Sequence, residues 1–189
     1  FLNLVNGPLI IAPTHRSRWD GLILTFAFGR RVTKRDCRFM VTTNEMKGLQ
    51  GWFLKRLGCF SINQESPSLS SLRYAVELIY SKNQLVIFPE GKITKSSKKL
   101  KLKQGLFRLA KLARKKGEPI KIVPIGIAYE NVKPKFRDRF AICIEKPINL
   151  DDFYNASVDD FNLYLNSCIQ KAEEKALRQV GRKLDDQLE

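Results

Sequence analysis

Leu9-Ile10-Ile11-Ala12-Pro13-Thr14-His15-Arg16-Ser17-Arg18-Trp19-Asp20-Gly21 decides how this chain folds and where its chemistry sits. The apolar run Leu9 to Ala12 reads as a short buried strand. Pro13 has no amide proton for a ladder, so it marks the strand's end. His15, the chain's one histidine, therefore emerges where a strand stops and a loop or helix begins. In α/β proteins that is where reactive side chains gather.

Asp20 follows His15 by five positions. A histidine titrates near neutrality and can take and return a proton at working pH. An aspartate accepting from one ring nitrogen fixes the tautomer, frees the other nitrogen for a substrate hydroxyl and stabilises the imidazolium that forms. On this reading Asn at position 20 would fold but lose activity through the wrong tautomer. A tight turn leading into a helix would bring the two side chains together. The plainer alternative is a surface histidine and a helix-capping aspartate, and spacing alone leaves both open.

At 189 residues the chain is long enough for one domain with a real core. Its formal net charge of +15 calls for an anionic partner: nucleic acid, an acidic protein or an anionic membrane surface. Residues 92 to 121 carry twelve Lys and Arg against one acid, Glu118. That stretch is either a solvated face or an anchor for such an anionic partner, an anionic lipid surface included. Cys37, Cys59, Cys143 and Cys168 form no C-x-x-C pair, and with a single histidine no metal site is expected. Cys143 and Cys168 fall in apolar patterns and read as buried thiols in a reducing compartment. No signal peptide or membrane span is readable. The chain opens on Phe1, which leaves room for a preceding segment, a membrane anchor included.

Periodicity fills in the rest. Asp20 to about Phe28 reads as a helix with Leu22, Ile23 and Phe26 on one face, broken by Gly29-Arg30-Arg31. Arg38–Thr42 and Gly58–Ile62 read as strands. Between them Glu45–Leu57 reads as a helix with Met46, Leu49, Trp52, Phe53 and Leu57 at helical spacing. It suits either a membrane surface or the core. A helix from Leu69 to Tyr80 precedes the apolar strand Gln84–Phe88. A helix over Gly105–Ala113 precedes the strand Lys121–Ile127, in which Pro124 suggests an edge or bulge. Phe140–Ile144 closes the strand set. A helix over about 157–188 ends the chain, with Ser157 and Asp160 as a capping pair. Strands alternating with helices predict a single α/β domain over 1–189, its central sheet mostly parallel or mixed and flanked by helices.

The second informative site is Phe88-Pro89-Glu90-Gly91, an acid directly after a buried strand. His-x4-Asp followed about seventy residues later by Phe-Pro-Glu-Gly resembles the glycerolipid acyltransferase family, whose best-known members are 1-acylglycerol-3-phosphate acyltransferases. Gly58-Cys59-Phe60-Ser61-Ile62-Asn63-Gln64 is similar to the family's second block, and Val123-Pro124-Ile125 to its fourth. The resemblance spans a motif core of about 9–127. It implies acyl transfer from a thioester, on coenzyme A or acyl carrier protein, to a lysoglycerolipid hydroxyl, with no cofactor and no covalent acyl-enzyme. It implies His15 as general base and Asp20 as its orienter. It also implies Glu90, Gly91 and Lys92 in acceptor binding, with Arg16, Arg18 and Ser17 inside the first motif. Ser17 reads as a local hydrogen bonder.

Two positions depart from the pattern. Gln64 stands where the second block usually ends in Arg, and Lys92-Ile93 where the third continues Thr-Arg. Arginine's planar fork bonds two phosphate oxygens at once, so these losses open a second acceptor class, a lysolipid without a phosphate clamp. The rival from another class is a basic lipid- or nucleic-acid-binding protein without catalysis. Nucleic acid is disfavoured, since no helix-turn-helix, RNP motif, KH loop or zinc finger is readable. The expected location is a membrane surface facing the cytoplasm or another reducing compartment, peripherally or through a segment outside this chain.

Overall fold

The computed structural model describes residues 7–81, 83–95 and 101–183. In chain order the main elements are β1 (Leu9–Pro13), α1 (Asp20–Phe28), α2 (Arg30–Thr33), β2 (Cys37–Thr42), α3 (Gly48–Arg56), β3 (Cys59–Ile62) and α4 (Leu69–Tyr80). They continue with β4 (Gln84–Val86), α5 (Gly105–Arg114), β5 (Lys121–Tyr129), β6 (Phe140–Ile144), β7 (Ile148–Asn149) and α6 (Val158–Gln179).

The described strands form one sheet in the order β3-β2-β4-β1-β5-β6, with β7 also on β5. From β3 to β5 every pairing is parallel, and β6 and β7 run antiparallel to β5. The sheet is mixed, as the alternation of elements predicts. It is buried on both faces, which explains why its central strands are unbroken apolar runs. Ile10 and Ala12 of β1 join a core with α4, α5 and the first half of α6, while Leu9 and Ile11 face α1. Each fully buried large apolar side chain there contributes about 1.5–3 kcal/mol. Phe107 of α5 stacks on Phe161 of α6 at 4.3 Å between ring centres.

The structure departs from the sequence reading at six points. Of Leu22, Ile23 and Phe26, expected on one face of α1, only Ile23 packs half-buried against the core. Asp20, Leu24 and Phe28 are buried and Phe26 is 78% exposed. Positions 20, 24 and 28 share one helix face, so turning Asp20 inward also turns Leu24 and Phe28 inward. The expected helix over 45–57 is split. Thr43–Met46 is a 3-10 turn, and Gly48, at φ +56°, starts α3 afresh. Core packing of α3 is overturned: Gly51 is its one buried residue, while Leu49, Trp52 and Phe53 stand exposed.

Pro124 is not at a sheet edge. It pairs with Ala12 on one side and lies on the other where β5 changes partner, between Ile122 opposite Ile148 and Ile125 opposite Ile144. Its missing N–H falls in that gap. The last helix ends at Gln179, not near 188. Gly181, at φ +79°, turns the chain, and Arg182 N donates to Leu177 O at 2.8 Å, a glycine-based stop. Positions 184–188 of that expectation lie outside the described residues. Its start is as expected, with Ser157 accepting from Asp160 N. Finally, Cys143 and Cys168 are half-buried, and the fully buried thiol is Cys37; all four are free.

Candidate active site

Parallel strands place their carboxyl ends on one edge of the sheet. β1 delivers His15 there, and β4, paired to β1 through Ile10–Leu85 and Ile11–Val86, delivers Phe88 to Gly91 beside it. Thr14 fixes the exit. Its N–H donates to Ile125 O at 2.9 Å, and its Oγ1 accepts from Ile127 N at 2.8 Å. The ring of His15 then stacks on Phe88 at 4.0 Å.

His15 Nδ1 lies 2.9 Å from Asp20 Oδ2. The same oxygen accepts from Arg16 N at 2.7 Å and Ser17 N at 2.9 Å, so the turn between the two residues wraps around the carboxylate. Tyr129 Oη, at the end of β5, donates to Asp20 Oδ1 at 2.5 Å. Burial and then the neighbouring Asp20 push the Tyr129 phenol well above its ordinary range, which keeps it a donor. Asp20 is fully buried and acts as a fixed anchor, not a surface cap. Ser17 makes local bonds, its Oγ accepting from Trp19 N at 3.2 Å.

Arg16 and Glu90 lie below this layer. Arg16 is buried, with Nη1 donating to Glu90 at 2.8 and 2.9 Å and to Thr94 Oγ1 at 2.7 Å. Its Nη2 donates to Glu173 Oε2 at 3.0 Å, and its Nε also bonds Glu173. Burial works against the guanidinium charge, but the two carboxylates outweigh it and hold the arginine firmly protonated. Glu90 also accepts from His15 N at 3.0 Å. Burial raises the Glu90 carboxyl above its ordinary range, against the pull of Arg16 and Thr94. Arg16 and Glu90 thus brace the first and third motifs against each other.

Glu173 reaches this cluster because Gly126 has no side chain. A Cβ on Gly126 would lie 2.1 Å from Glu173 N and 2.2 Å from Ala172 C, so α6 rests directly on the β5 backbone.

His15 opens onto a cleft of about 520 Å³ between α1, α3 and the strand ends. Met40, Phe53, Leu54, Leu57 and Phe88 make its wall apolar, and Arg18, Gln64, Gly91 and Lys92 add polar groups. With Nδ1 engaged by Asp20, Nε2 is the ring nitrogen left for a ligand in the cleft. Arg18 and Lys92 bring cations to it, and neither has an ion-pair partner among the described residues. Cys59 also lines the cleft, but burial pushes its thiol up to about 11, away from the reactive thiolate. Among the described residues no group of three or more His, Cys, Asp and Glu could hold a metal ion.

The structure therefore brings His15, Asp20, Arg18, Gly91 and Lys92 together at or beside the cleft, with Ser17, Arg16 and Glu90 behind it. The sequence reading missed Tyr129, Thr94 and Glu173. Glu173 carried a signal, since an acid standing between Ile169 and Leu177 interrupts the apolar stripe of α6. Tyr129 carried a weaker one, as the next alternate residue after Val123, Ile125 and Ile127.

Comparison with known proteins adds four findings. The acyltransferase family model matches residues 3–128, more than half of the chain. The chain is 28% identical over 118 residues, or 62% of its length, to a 1-acyl-sn-glycerol-3-phosphate acyltransferase of Streptococcus pneumoniae. It is also 28% identical over 137 residues, 66% of its length, to a glycerol-3-phosphate acyltransferase of Alteromonas mediterranea. The chain spans 40% of the first relative and 16% of the second. Its fold matches the crystal structure of the 1-acyl-sn-glycerophosphate acyltransferase PlsC of Thermotoga maritima, with a TM-score of 0.58 at 18% identity, covering 90% of this chain and 67% of that one.

Proposed function

Since the chain belongs to the acyltransferase family, we propose that it transfers a fatty acyl group from an acyl thioester to the free hydroxyl of a lysoglycerolipid. The acceptor is 1-acylglycerol-3-phosphate, the product phosphatidic acid, and the donor coenzyme A or acyl carrier protein thioester. The observation that carries this reading is the His15 Nδ1–Asp20 contact of 2.9 Å at the wall of an apolar cleft. The acceptor hydroxyl gives its proton to Nε2 of His15 while its oxygen attacks the thioester carbonyl carbon. The tetrahedral intermediate collapses, the C–S bond breaks, and the leaving thiolate takes the proton back from the imidazolium. Asp20 balances the charge on the ring throughout. Acyl methylenes fit the apolar wall, each buried CH₂ contributing about 0.8 kcal/mol.

The same reading places the protein at a membrane surface. No described helix is long and apolar enough to cross a bilayer. Instead Trp19 and Phe26 of the α1 region and Leu49, Trp52 and Phe53 of α3 stand exposed on the two helices that border the cleft. Lys47, Lys55 and Arg56 lie among the α3 aromatics, and Arg56 caps the Trp52 ring at 4.1 Å. Aromatics flanked by cations suit an anionic lipid interface.

A second acceptor class is favoured by one observation: Gln64 lines the cleft where the family pattern has arginine. The test is thioester consumption by the protein with acyl-coenzyme A and acyl carrier protein donors against a panel of lysolipids, with and without the phosphate. Turnover that vanishes in His15→Ala supports the assignment. Wild-type turnover in that variant, or none in the wild type with any acceptor, overturns it.

A further inference from the structure

The cleft is not the only cavity at this end of the sheet. A second, of about 610 Å³, lies on the other side of Gly91, between the segment following β4 and the start of α6. The two share Gln64, Gly91 and Lys92 as a common wall. The second has a different character. Lys92, Lys101 and Lys103 all line it, and among the described residues none of the three ammonium groups has a carboxylate partner. Among the described residues two carboxylates touch it. Glu90 is already bound to Arg16, which leaves Asp159 as the one free to offset three cations.

The position of Lys103 is built, not incidental. Its N–H donates to Pro89 O at 2.7 Å, which ties the end of the basic segment to the Pro-Glu-Gly turn. Its aliphatic stem lies over Gly91. A Cβ there would meet Lys103 Cγ at 3.1 Å and Gln64 Oε1 at 3.5 Å, and Gly91 itself sits at φ +70°. Leu102, buried between the two lysines, holds the segment to the core while Lys101 and Lys103 on either side remain exposed. On the opposite wall, Asn162 of α6 has a buried amide oxygen with no partner among the described residues. Turned over, that amide would offer its NH₂ to the same cavity.

We propose that this second cavity is a phosphate-binding pocket, with Lys101 and Lys103 as its principal ligands and Lys92 shared with the cleft. Lysine binds phosphate as a point charge without the fixed fork of arginine, so a pocket of lysines takes a phosphate monoester or bisphosphate without dictating its orientation. Two substrates of the proposed reaction carry such a group. One is the 3′-phosphate and pyrophosphate end of coenzyme A, and the other is the phosphate of the acceptor. The proposal takes its meaning from the acyl-transfer reading but is tested without it.

The test is equilibrium binding by calorimetry, with adenosine 3′,5′-bisphosphate and sn-glycerol 3-phosphate as probes. The proteins are wild type, Lys101→Gln/Lys103→Gln, and Lys133→Gln/Lys135→Gln. The last removes the same charge from the β5–β6 connection, which lines neither cavity. At least one probe should bind the wild type and the control pair alike, and bind the first pair roughly tenfold more weakly. Selective loss of the bisphosphate assigns the pocket to the thioester carrier, and selective loss of glycerol 3-phosphate assigns it to the acceptor. Equal affinity in all three proteins, equal loss in both variants, or no binding by the wild type at millimolar probe overturns the proposal. If the wild type binds a probe in this pattern yet transfers no acyl group, the acyl-transfer reading fails and the pocket stands.

Discussion

Asp20→Asn is the substitution whose outcome the structure changes most. From the motif alone the expectation is a wrong tautomer, with an amide NH₂ facing Nδ1 of His15. The hydrogen bonds argue otherwise. Asp20 Oδ2 accepts two backbone N–H groups, from Arg16 at 2.7 Å and Ser17 at 2.9 Å, besides His15. An asparagine must put its oxygen there, because its NH₂ cannot face two fixed donors. The NH₂ then faces Tyr129 Oη, a hydroxyl that can rotate and accept. The fold and the Nδ1–H tautomer both survive, and the variant loses only the negative charge. A carboxylate and an imidazolium about 4 Å apart interact by about 4 kcal/mol at an effective dielectric constant of ~20. At about 1.4 kcal/mol per decade that is a loss of roughly 10³ in rate. The assay is kcat/KM from release of free thiol, read beside the ¹⁵N spectrum of the single histidine. Wild-type rate in Asp20→Asn, or a ring proton moved to Nε2, would refute the reasoning.

Four further outcomes follow from the same geometry. Tyr129→Phe strips Asp20 Oδ1 of its donor in a fully buried place, and should lower stability by about 1.5–3 kcal/mol in urea titration; an unchanged midpoint would mean that the 2.5 Å contact is not formed. Glu173→Ala leaves the buried Arg16 with Glu90 alone and should cost about 3–5 kcal/mol, with partial recovery in Glu173→Asp; equal losses in both would show that charge is not the cause. Cys59→Ser should keep full activity, and alkylation of Cys59 should rise with pH towards about 11, because burial disfavours the thiolate; fast labelling at neutral pH, or an inactive serine variant, would contradict this. Trp52→Ala/Phe53→Ala should weaken binding to anionic vesicles and leave a residual attachment that salt removes; unchanged binding would move the docking face elsewhere.

What could be read in the chain, and what could not, divides along a physical line. The spans of β1, α1 and α4 declared themselves because each is specified locally, by an unbroken apolar run or by apolar residues between helix-breaking ones. His15 and Asp20 were legible for the same reason, since five residues and one turn bring them together. The roles of Arg16 and Glu90 were not. Both sit in the motifs, yet their partners are each other and Glu173, which is 157 positions from Arg16. Only the docking of α6 on β5 at Gly126 brings that acid in. The orientation of α1 failed for a related reason. Apolar periodicity favoured Phe26 as a core residue, but the demand that Asp20 point at His15 fixes the rotation of the helix and turns Phe26 out.

That last conflict links fold to function. A helix free to choose its face would bury Phe26. This one leaves it exposed together with Trp19, and across the cleft α3 leaves Leu49, Trp52 and Phe53 exposed as well. Burying those faces is worth about 25 cal/mol per Å² of apolar surface, and a chain that forgoes this on both sides of a single opening has a use for apolar surface there. On the proposed function, the aspartate that orients His15 therefore also sets which residues would meet lipid. In the acyl-transfer reading the substrate's path and the proton's path are fixed by one helix register.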